Sequence, residues 1–188
     1  MALDVKGIIL DQLDRYWARM LMPRLEGLTD GEYLWEPFVG CWTIRRSEDG
    51  IWIRDSGVPA PPHPEPLTTI AWRMEHIAEM CMRRAANQFA TAGYVSDISG
   101  TAENAVQRMQ HGYSEWQGGL RSLDPSEFSR PIGPSERGYE DAPLAALVLH
   151  MNRELIHHGA EVALLRDLYR AKQLDRLRTR RPSPGRRR

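Results

Sequence analysis

The chain has 188 residues, of which 41% are hydrophobic and 27% charged, and no net charge, which fits one globular domain with a substantial core. No stretch approaches the roughly 18 consecutive apolar residues of a membrane span, and the N-terminus lacks the small-residue cleavage site of a signal peptide. The two cysteines, Cys41 and Cys81, are too few for a disulfide framework, so we expect reduced thiols and a cytoplasmic protein without a membrane partner.

Amphipathic spacing predicts the first helix over residues 4–25, since apolar residues recur there every three or four positions. Pro23 lies within the last turn and is expected to kink or shorten this helix. Thr29 and Glu32 follow with the spacing of a capping box, which predicts a short helical turn.

Residues 28–66 form a connection that is long for a compact domain, and such connections are usually functional or disordered. Within it, residues 41–45 and 50–54 alternate apolar and polar side chains around a Ser-Glu-Asp-Gly turn, which predicts a small hairpin. The Pro-rich segment 58–66 predicts an extended linker. Three tryptophans favour an ordered connection, which we interpret as a lid or a pocket wall.

The same helical periodicity predicts three further helices, over residues 67–91, about 101–123 and 144–169. Asp141 is a suitable cap for the last of them, with Pro143 in its first turn. Four amphipathic helices with almost no strand predict an all-α fold, an antiparallel four-helix bundle with a long connection between helices 1 and 2.

The balanced net charge conceals a basic C-terminal tail. Residues 171–188 contain eight Lys or Arg and one Asp, so the tail carries about +7 and residues 1–170 carry about −7. We expect the tail to be disordered, most clearly beyond Arg178, and to lie outside a single domain of residues 1–170. A basic tail attracts nucleic acid, but no aromatic residues are interleaved for stacking, so we do not expect nucleic acid as a partner.

The last helix carries two polar residues on the stripe that should face the core. Glu154 and His158 stand one helical turn apart and point the same way. Burying a carboxylate and an imidazole costs free energy unless both are compensated, and a divalent metal ion is the simplest partner for both. A buried Glu–His hydrogen bond without a metal fits the same pattern, and the residues alone leave both interpretations open.

His76 on the second helix is a third candidate ligand, because side chains from different helices converge in the core of a bundle. With Glu154 and His158 it would form a three-ligand set with open positions, as in catalytic zinc or non-haem iron sites. A core histidine is the alternative role for His76. His150 and His157 are also within reach of Glu154, but the pair Glu154–His158 lies nearest the apolar seam. His157 is then expected to hydrogen-bond beside the ligands.

These residues also carry a family resemblance. Three segments resemble the DinB-like four-helix metalloproteins: residues 150–161 (HMNRELIHHGAE), residues 68–77 (TTIAWRMEHI) and the loop with Trp35, Pro37 and residues 42–45 (WTIR). The resemblance covers roughly residues 5–170, without the basic tail. Many members bind a divalent metal through one histidine on helix 2 and a His-x3-His pair on the last helix. Glu154 replaces the first histidine of that pair, which resembles the mycothiol-dependent branch that includes maleylpyruvate isomerase and the mycothiol S-transferases.

The resemblance implies a zinc ion at His76, Glu154 and His158 that activates a low-molecular-weight thiol such as mycothiol for attack on an electrophile. Conjugation makes the chain a transferase, and reversible addition makes it an isomerase. Arg45 could pair with carboxylates of the thiol or the substrate, and Trp42 could form a pocket wall. Solvated surface charge and core packing are the alternative roles for these two residues.

Two other functions fit the same residues. A metal-binding bundle of this family could have a hydrolytic or a non-catalytic stress role, with only Glu161 or His157 nearby as a general base. A non-enzymatic interaction module is the third interpretation. We expect a thiol-dependent S-transferase in detoxification, with a small-molecule thiol and an electrophile as partners, and a homodimer could form through helix 1 and the Trp-rich loop.

Overall fold

A computed structural model describes residues 3–56, 63–92 and 94–179. Its α-helices are Val5–Tyr16 (α1), Met22–Leu25 (α2), Asp30–Tyr33 (α3), Ile70–Phe89 (α4), Ala102–Ser122 (α5) and Leu144–Thr179 (α6). A π-helical turn, Trp17–Leu21, joins α1 to α2, and a 3-10 helix, Pro125–Ser129, follows α5. Among the described ranges, no helix is both long and apolar enough to cross a membrane.

The predicted hairpin in the long connection is confirmed. Strands Ile44–Arg46 (β1) and Trp52–Arg54 (β2) pair antiparallel, and they are the only strands in the part of the chain that the structure describes. The predicted capping box is also present, since Thr29 and Glu32 each bond the other's backbone N–H. Residues 58–62 of the predicted Pro-rich linker lie outside the described residues.

The effect of Pro23 is a π-helical turn rather than a helix end. Proline has no N–H, so the carbonyl four residues earlier, that of Arg19, loses its helical partner. The chain widens over Trp17–Leu21, where the Met22 N–H donates to the Trp17 carbonyl. The helix therefore continues to Leu25.

The prediction of an antiparallel bundle needs correction, because α4 and α5 run in the same direction. Glu75 pairs with Arg108 near the start of both helices, and Phe89 packs against Gly119 near their ends. The intervening residues 90–101, fully extended, span about 40 Å, which is longer than the roughly 30 Å of α4. The connection is therefore long enough to reach from the end of α4 back to the end of the bundle where α4 begins. The sequence pattern could not distinguish this path from a short turn between antiparallel helices.

The first and last helices also run parallel to each other. The Asn152 side chain donates to the Ile9 carbonyl, and Arg24 donates to the Ala163 carbonyl further along both helices. The two helices approach closely at Gly159, where an added Cβ would lie 2.4 Å from the Tyr16 hydroxyl. Tyr16 therefore fills the space that this glycine leaves. Helices α1, α4, α5 and α6 together enclose one hydrophobic core.

Helix α6 is longer than the predicted segment and continues to Thr179, so the first nine residues of the predicted disordered tail are helical. Good helix formers continue through this stretch, and the next proline is Pro182. The remaining residues, 180–188, lie outside the described ranges, and their disorder stays a prediction. The prediction of a single domain over residues 1–170 likewise stays untested.

A buried ion pair fastens the short helix α3 to α6. Arg166 donates to both carboxylate oxygens of Glu32 at 3.2 Å, and Arg170 donates to one of them at the same distance. The side chains of Arg166 and Glu32 are only 1% and 6% exposed. Since a buried charge without its partner is costly, this pair fixes the start of the long connection against the bundle.

Candidate metal centre

Helices α4 and α6 bring the three predicted ligands together. One ligand atom each of His76, Glu154 and His158 lies within 4.8 Å of the others. The imidazole rings of His76 and His158 meet edge to face, with centroids 4.8 Å apart and planes at 81°. His158 Nε2 and Glu154 Oε2 lie 3.3 Å apart.

Neighbouring side chains hold the His76 ring in place. Trp72 lies one turn earlier on α4 and stacks on it, with ring centroids 5.2 Å apart and planes at 22°. The guanidinium groups of Arg54 and Arg73 lie over the Trp72 ring, at 4.9 and 5.0 Å from its centroid. The centre is therefore bordered by an aromatic ring and two cations.

Glu161 orients the His158 ring. Its Oε2 lies 2.8 Å from His158 Nδ1 and 2.9 Å from Arg73 Nε. Arg73 Nη1 also lies 3.1 Å from this Nδ1, but the contact with the carboxylate is shorter. An ionised carboxylate only accepts hydrogen bonds, so we assign the proton of the neutral ring to Nδ1, which donates it to Glu161. The lone pair of Nε2 then faces the Glu154 carboxylate, which is the arrangement of a carboxylate–histidine–metal triad.

On His76, the corresponding nitrogen, Nδ1, accepts a hydrogen bond from Arg54. Its guanidinium donates to His76 Nδ1 at 3.0 Å and also pairs with Glu79. Arginine has no acceptor, so Nδ1 carries the lone pair and Nε2 carries the proton in this arrangement. A neutral imidazole has one lone pair, so the Arg54 hydrogen bond and metal ligation by His76 exclude each other.

The ligands are in the protonation states that a cation requires. Burial, followed by electrostatic repulsion from His158 when it is protonated and from Arg54 and Arg73, lowers the pKa of His76 to about 3. Burial also lowers the pKa of His158. For Glu154, burial opposes ionisation, but the hydrogen bond from Arg153 and the adjacent histidines outweigh it and lower the pKa. Two neutral imidazoles and one carboxylate result at neutral pH.

These residues fit a divalent cation. Two ligand atoms bound tetrahedrally at about 2.0–2.1 Å lie about 3.3–3.4 Å apart, and the 3.3 Å between His158 Nε2 and Glu154 Oε2 matches that separation. With Nδ1 protonated, both facing atoms are acceptors, and a cation between them would satisfy both.

The remaining predicted site residues lie further from this centre. His157 is exposed; it contacts Glu161 Oε1 at 3.4 Å, and its ring centroid lies 4.9 Å from that of His158. Together with His158 and Glu161 it forms a second group that could hold a metal ion, but this group shares His158 with the first. Trp42 packs on Trp72, with centroids 6.0 Å apart, and lies one ring outside His76.

Arg45 is engaged in structural ion pairs. It donates to both carboxylate oxygens of Glu36 at 3.2 Å, to Asp55 at 3.1 Å and to the Cys41 carbonyl. These contacts brace the loop around the hairpin. The predicted substrate-binding role of Arg45 stays a prediction.

Arg54 and Arg73 were missed at the sequence level, and Glu161 was considered there only as a general base. Glu161 is three residues after His158 and carried a usable signal, because residues at that helical spacing face each other. Arg73 likewise precedes His76 by three residues. No sequence pattern placed Arg54 at the centre, since it arrives from the hairpin.

A comparison with known families agrees with this structure. A profile of the DinB superfamily matches residues 12–162, a span that contains all three candidate ligands. Comparisons with curated proteins and with solved structures give no match. Because the matched span is most of the chain, the chain belongs to the DinB superfamily.

Proposed function

We propose that this protein is a metal-dependent transferase or isomerase that activates a low-molecular-weight thiol, such as mycothiol, for attack on an electrophile. The observation that supports the proposal is the His76–Glu154–His158 group, whose two nitrogens and one oxygen would leave positions open on a zinc ion. Its His-Glu-His composition resembles the mycothiol-dependent branch of the family. We place this activity in the cytoplasm, where thiols are kept reduced.

The chemistry divides between the cation and the protein. A divalent cation held by His76, Glu154 and His158 would supply a Lewis acid that lowers the pKa of a coordinated thiol, so that the thiolate would form at neutral pH. Glu161 keeps the His158 proton on Nδ1, and Arg153 holds Glu154 Oε1 at 3.0 Å, so that Oε2 faces the centre. The Trp72 ring limits the movement of His76.

The reacting thiol has to come from outside the chain. Cys41 and Cys81 are both buried, and burial raises the pKa of Cys81 to about 12. A buried thiol of that pKa is neither accessible nor ionised at neutral pH. This favours a thiol cosubstrate over a cysteine nucleophile.

A thiol-binding experiment tests the proposal. Zinc-loaded protein is titrated with mycothiol in a calorimeter, and cobalt-substituted protein is followed by the absorption band of a sulfur–cobalt bond. We expect saturable binding of one thiol per metal and conjugation of an electrophile such as monobromobimane. His76→Ala should abolish both, and His157→Ala should retain both.

Two results would contradict the proposed function. Stoichiometric metal without thiol binding would contradict the transferase and favour the metal-binding stress role. Glu161 is already engaged by His158 and Arg73, which makes it a poor general base for hydrolysis. Protein that binds no divalent metal would contradict both functions.

A further inference from the structure

A cavity of about 470 Å³ lies between α4, α6 and the loop that precedes α6. Its wall contains three arginines, one histidine and one tyrosine: Arg84, Arg137, Arg153, His150 and Tyr139. Ile132 and Leu147 provide an apolar surface in the same wall. The cavity thus combines cationic groups with room for a short carbon skeleton.

The cavity wall contains more cationic groups than anionic groups. Among the described residues, Glu136 is the only carboxylate that lines the cavity, and it pairs with Arg84, whose Nε lies 3.0 Å from its Oε1. Arg137 is exposed and makes no ion pair within the described ranges of the chain. Arg153 donates to His150 Nδ1 at 2.7 Å and to Glu154. A net positive wall of this kind attracts an anion.

The cavity adjoins the candidate metal centre through one carboxylate. Arg153 and His150, both in the cavity wall, lie 3.0 and 3.7 Å from Glu154 Oε1. The other oxygen of Glu154 faces His158. An anion in the cavity would therefore lie on one side of Glu154 and the metal centre on the other.

We propose that this cavity binds a carboxylate group of the small-molecule substrate, with Arg137 as its main anchor. The inference rests on the proposed function and adds the class of ligand. A guanidinium pairs with a carboxylate through two parallel hydrogen bonds, and Arg137 has this fork available. The carbon skeleton would pack against Leu147 and Tyr139, with its reactive end toward Glu154.

The test uses succinate as a carboxylate probe on the full-length protein, with succinamide as the uncharged analogue and inorganic phosphate as a second anion. We expect succinate to bind, succinamide not to bind, and phosphate to bind more weakly. Arg137→Gln should weaken succinate about tenfold, as loss of a charge-assisted hydrogen bond does. Arg19→Gln removes an exposed arginine of the π-helical turn and should leave succinate affinity unchanged.

The outcomes separate this inference from the metal proposal. His76→Ala should keep succinate binding, because His76 does not line the cavity. Absence of succinate binding to protein that binds metal would overturn the inference and leave the proposed function intact. Equal effects of Arg137→Gln and Arg19→Gln would also overturn it, as would phosphate binding more tightly than succinate. Succinate binding that depends on Arg137 in protein without metal affinity would support the cavity and contradict the metal function.

Discussion

Arg54 donates a hydrogen bond to His76 Nδ1 across 3.0 Å and thereby links the hairpin to the candidate metal centre. The hydrogen bond uses the only lone pair of the neutral ring, so metal ligation by His76 requires it to break. Glu79 offers the guanidinium an alternative partner. Metal ligation by His76 would therefore release Arg54 toward Glu79.

We predict that Arg54→Ala increases metal affinity about tenfold or more. The variant removes a hydrogen bond from a charged donor, worth about 1.5–3 kcal/mol, and a positive charge close to the cation. Competitive titration with a chromophoric chelator measures the change. Arg46→Ala, which changes another arginine of the hairpin, is the matched control and should keep the wild-type affinity. If a folded Arg54→Ala protein bound the metal no more tightly than the wild type, the Arg54 hydrogen bond and metal ligation by His76 would not exclude each other.

The ligand set itself is tested by removing its members. His76→Ala, Glu154→Ala and His158→Ala should each lower metal affinity more than about 100-fold, which exceeds the usual effect of losing a group outside the ligand set. Metal analysis of purified protein and calorimetry measure the loss. His157→Ala is the control, because this neighbouring histidine is exposed and lies beside the His158 ring and Glu161 without belonging to the three-ligand set. A larger effect of His157→Ala would instead support the second group, His157 with His158 and Glu161.

Glu161→Gln should weaken metal binding about 10- to 100-fold without abolishing it. The amide still bonds to the ring, but it no longer holds the proton on Nδ1 as strongly, and Arg73 loses its ion pair. Glu115→Gln removes a carboxylate beside His111 at a comparable helical spacing and serves as the control. The variants should be compared by metal titration at constant pH, and identical affinities would exclude an orienting role.

The metal-free protein should lose stability as the pH falls below about 6.5. His76 has an ordinary pKa of 6.5 and a folded pKa of about 3, so between these values the unfolded chain binds a proton that the folded chain does not. The contribution of neutral His76 to the free energy of unfolding is therefore fully present above pH 6.5, and it is lost as the pH falls toward the folded pKa of about 3. Urea unfolding at a series of pH values measures this decline. His76→Gln should flatten it, and an unchanged slope would show that His76 is not the responsible group.

The buried pair Glu32–Arg166 should be important for stability but not for metal binding. Glu32→Gln leaves Arg166 buried without its anion and should lower the free energy of unfolding by about 3 kcal/mol. Chemical denaturation of metal-free protein measures the loss. Glu26→Gln, at an exposed position near the end of the first helical segment, should change stability by less than about 0.5 kcal/mol. A similar loss in both variants would contradict the argument.

Much of the fold follows from apolar periodicity. The helices over residues 4–25, 67–91 and 101–123 and the small hairpin lie where the pattern places them. The parallel arrangement of α4 and α5 could not be predicted in this way. Amphipathic spacing indicates which face of a helix is buried, but it does not indicate the direction of the neighbouring helix. The long connection over residues 90–101 permits either direction.

The candidate site was predictable to the extent that it lies on helices. The i, i+4 spacing of Glu154 and His158 placed both on one face. The convergence of helices in a bundle made His76 a third candidate, and the family resemblance favoured this set. The contact of Arg54 depends on how the hairpin docks on α4, which no local pattern encodes. The cavity beside Glu154 depends in the same way on the loop before α6, whose course is set by tertiary contacts.

The ligands lie far apart in the chain, and this separation orders the events of biosynthesis. His76 emerges from the ribosome well before Glu154 and His158, which lie 78 and 82 residues later in the chain. A cation that needs all three ligands could therefore bind only after α6 has packed against α4, and a chain terminated before Glu154 would lack two of the three ligands.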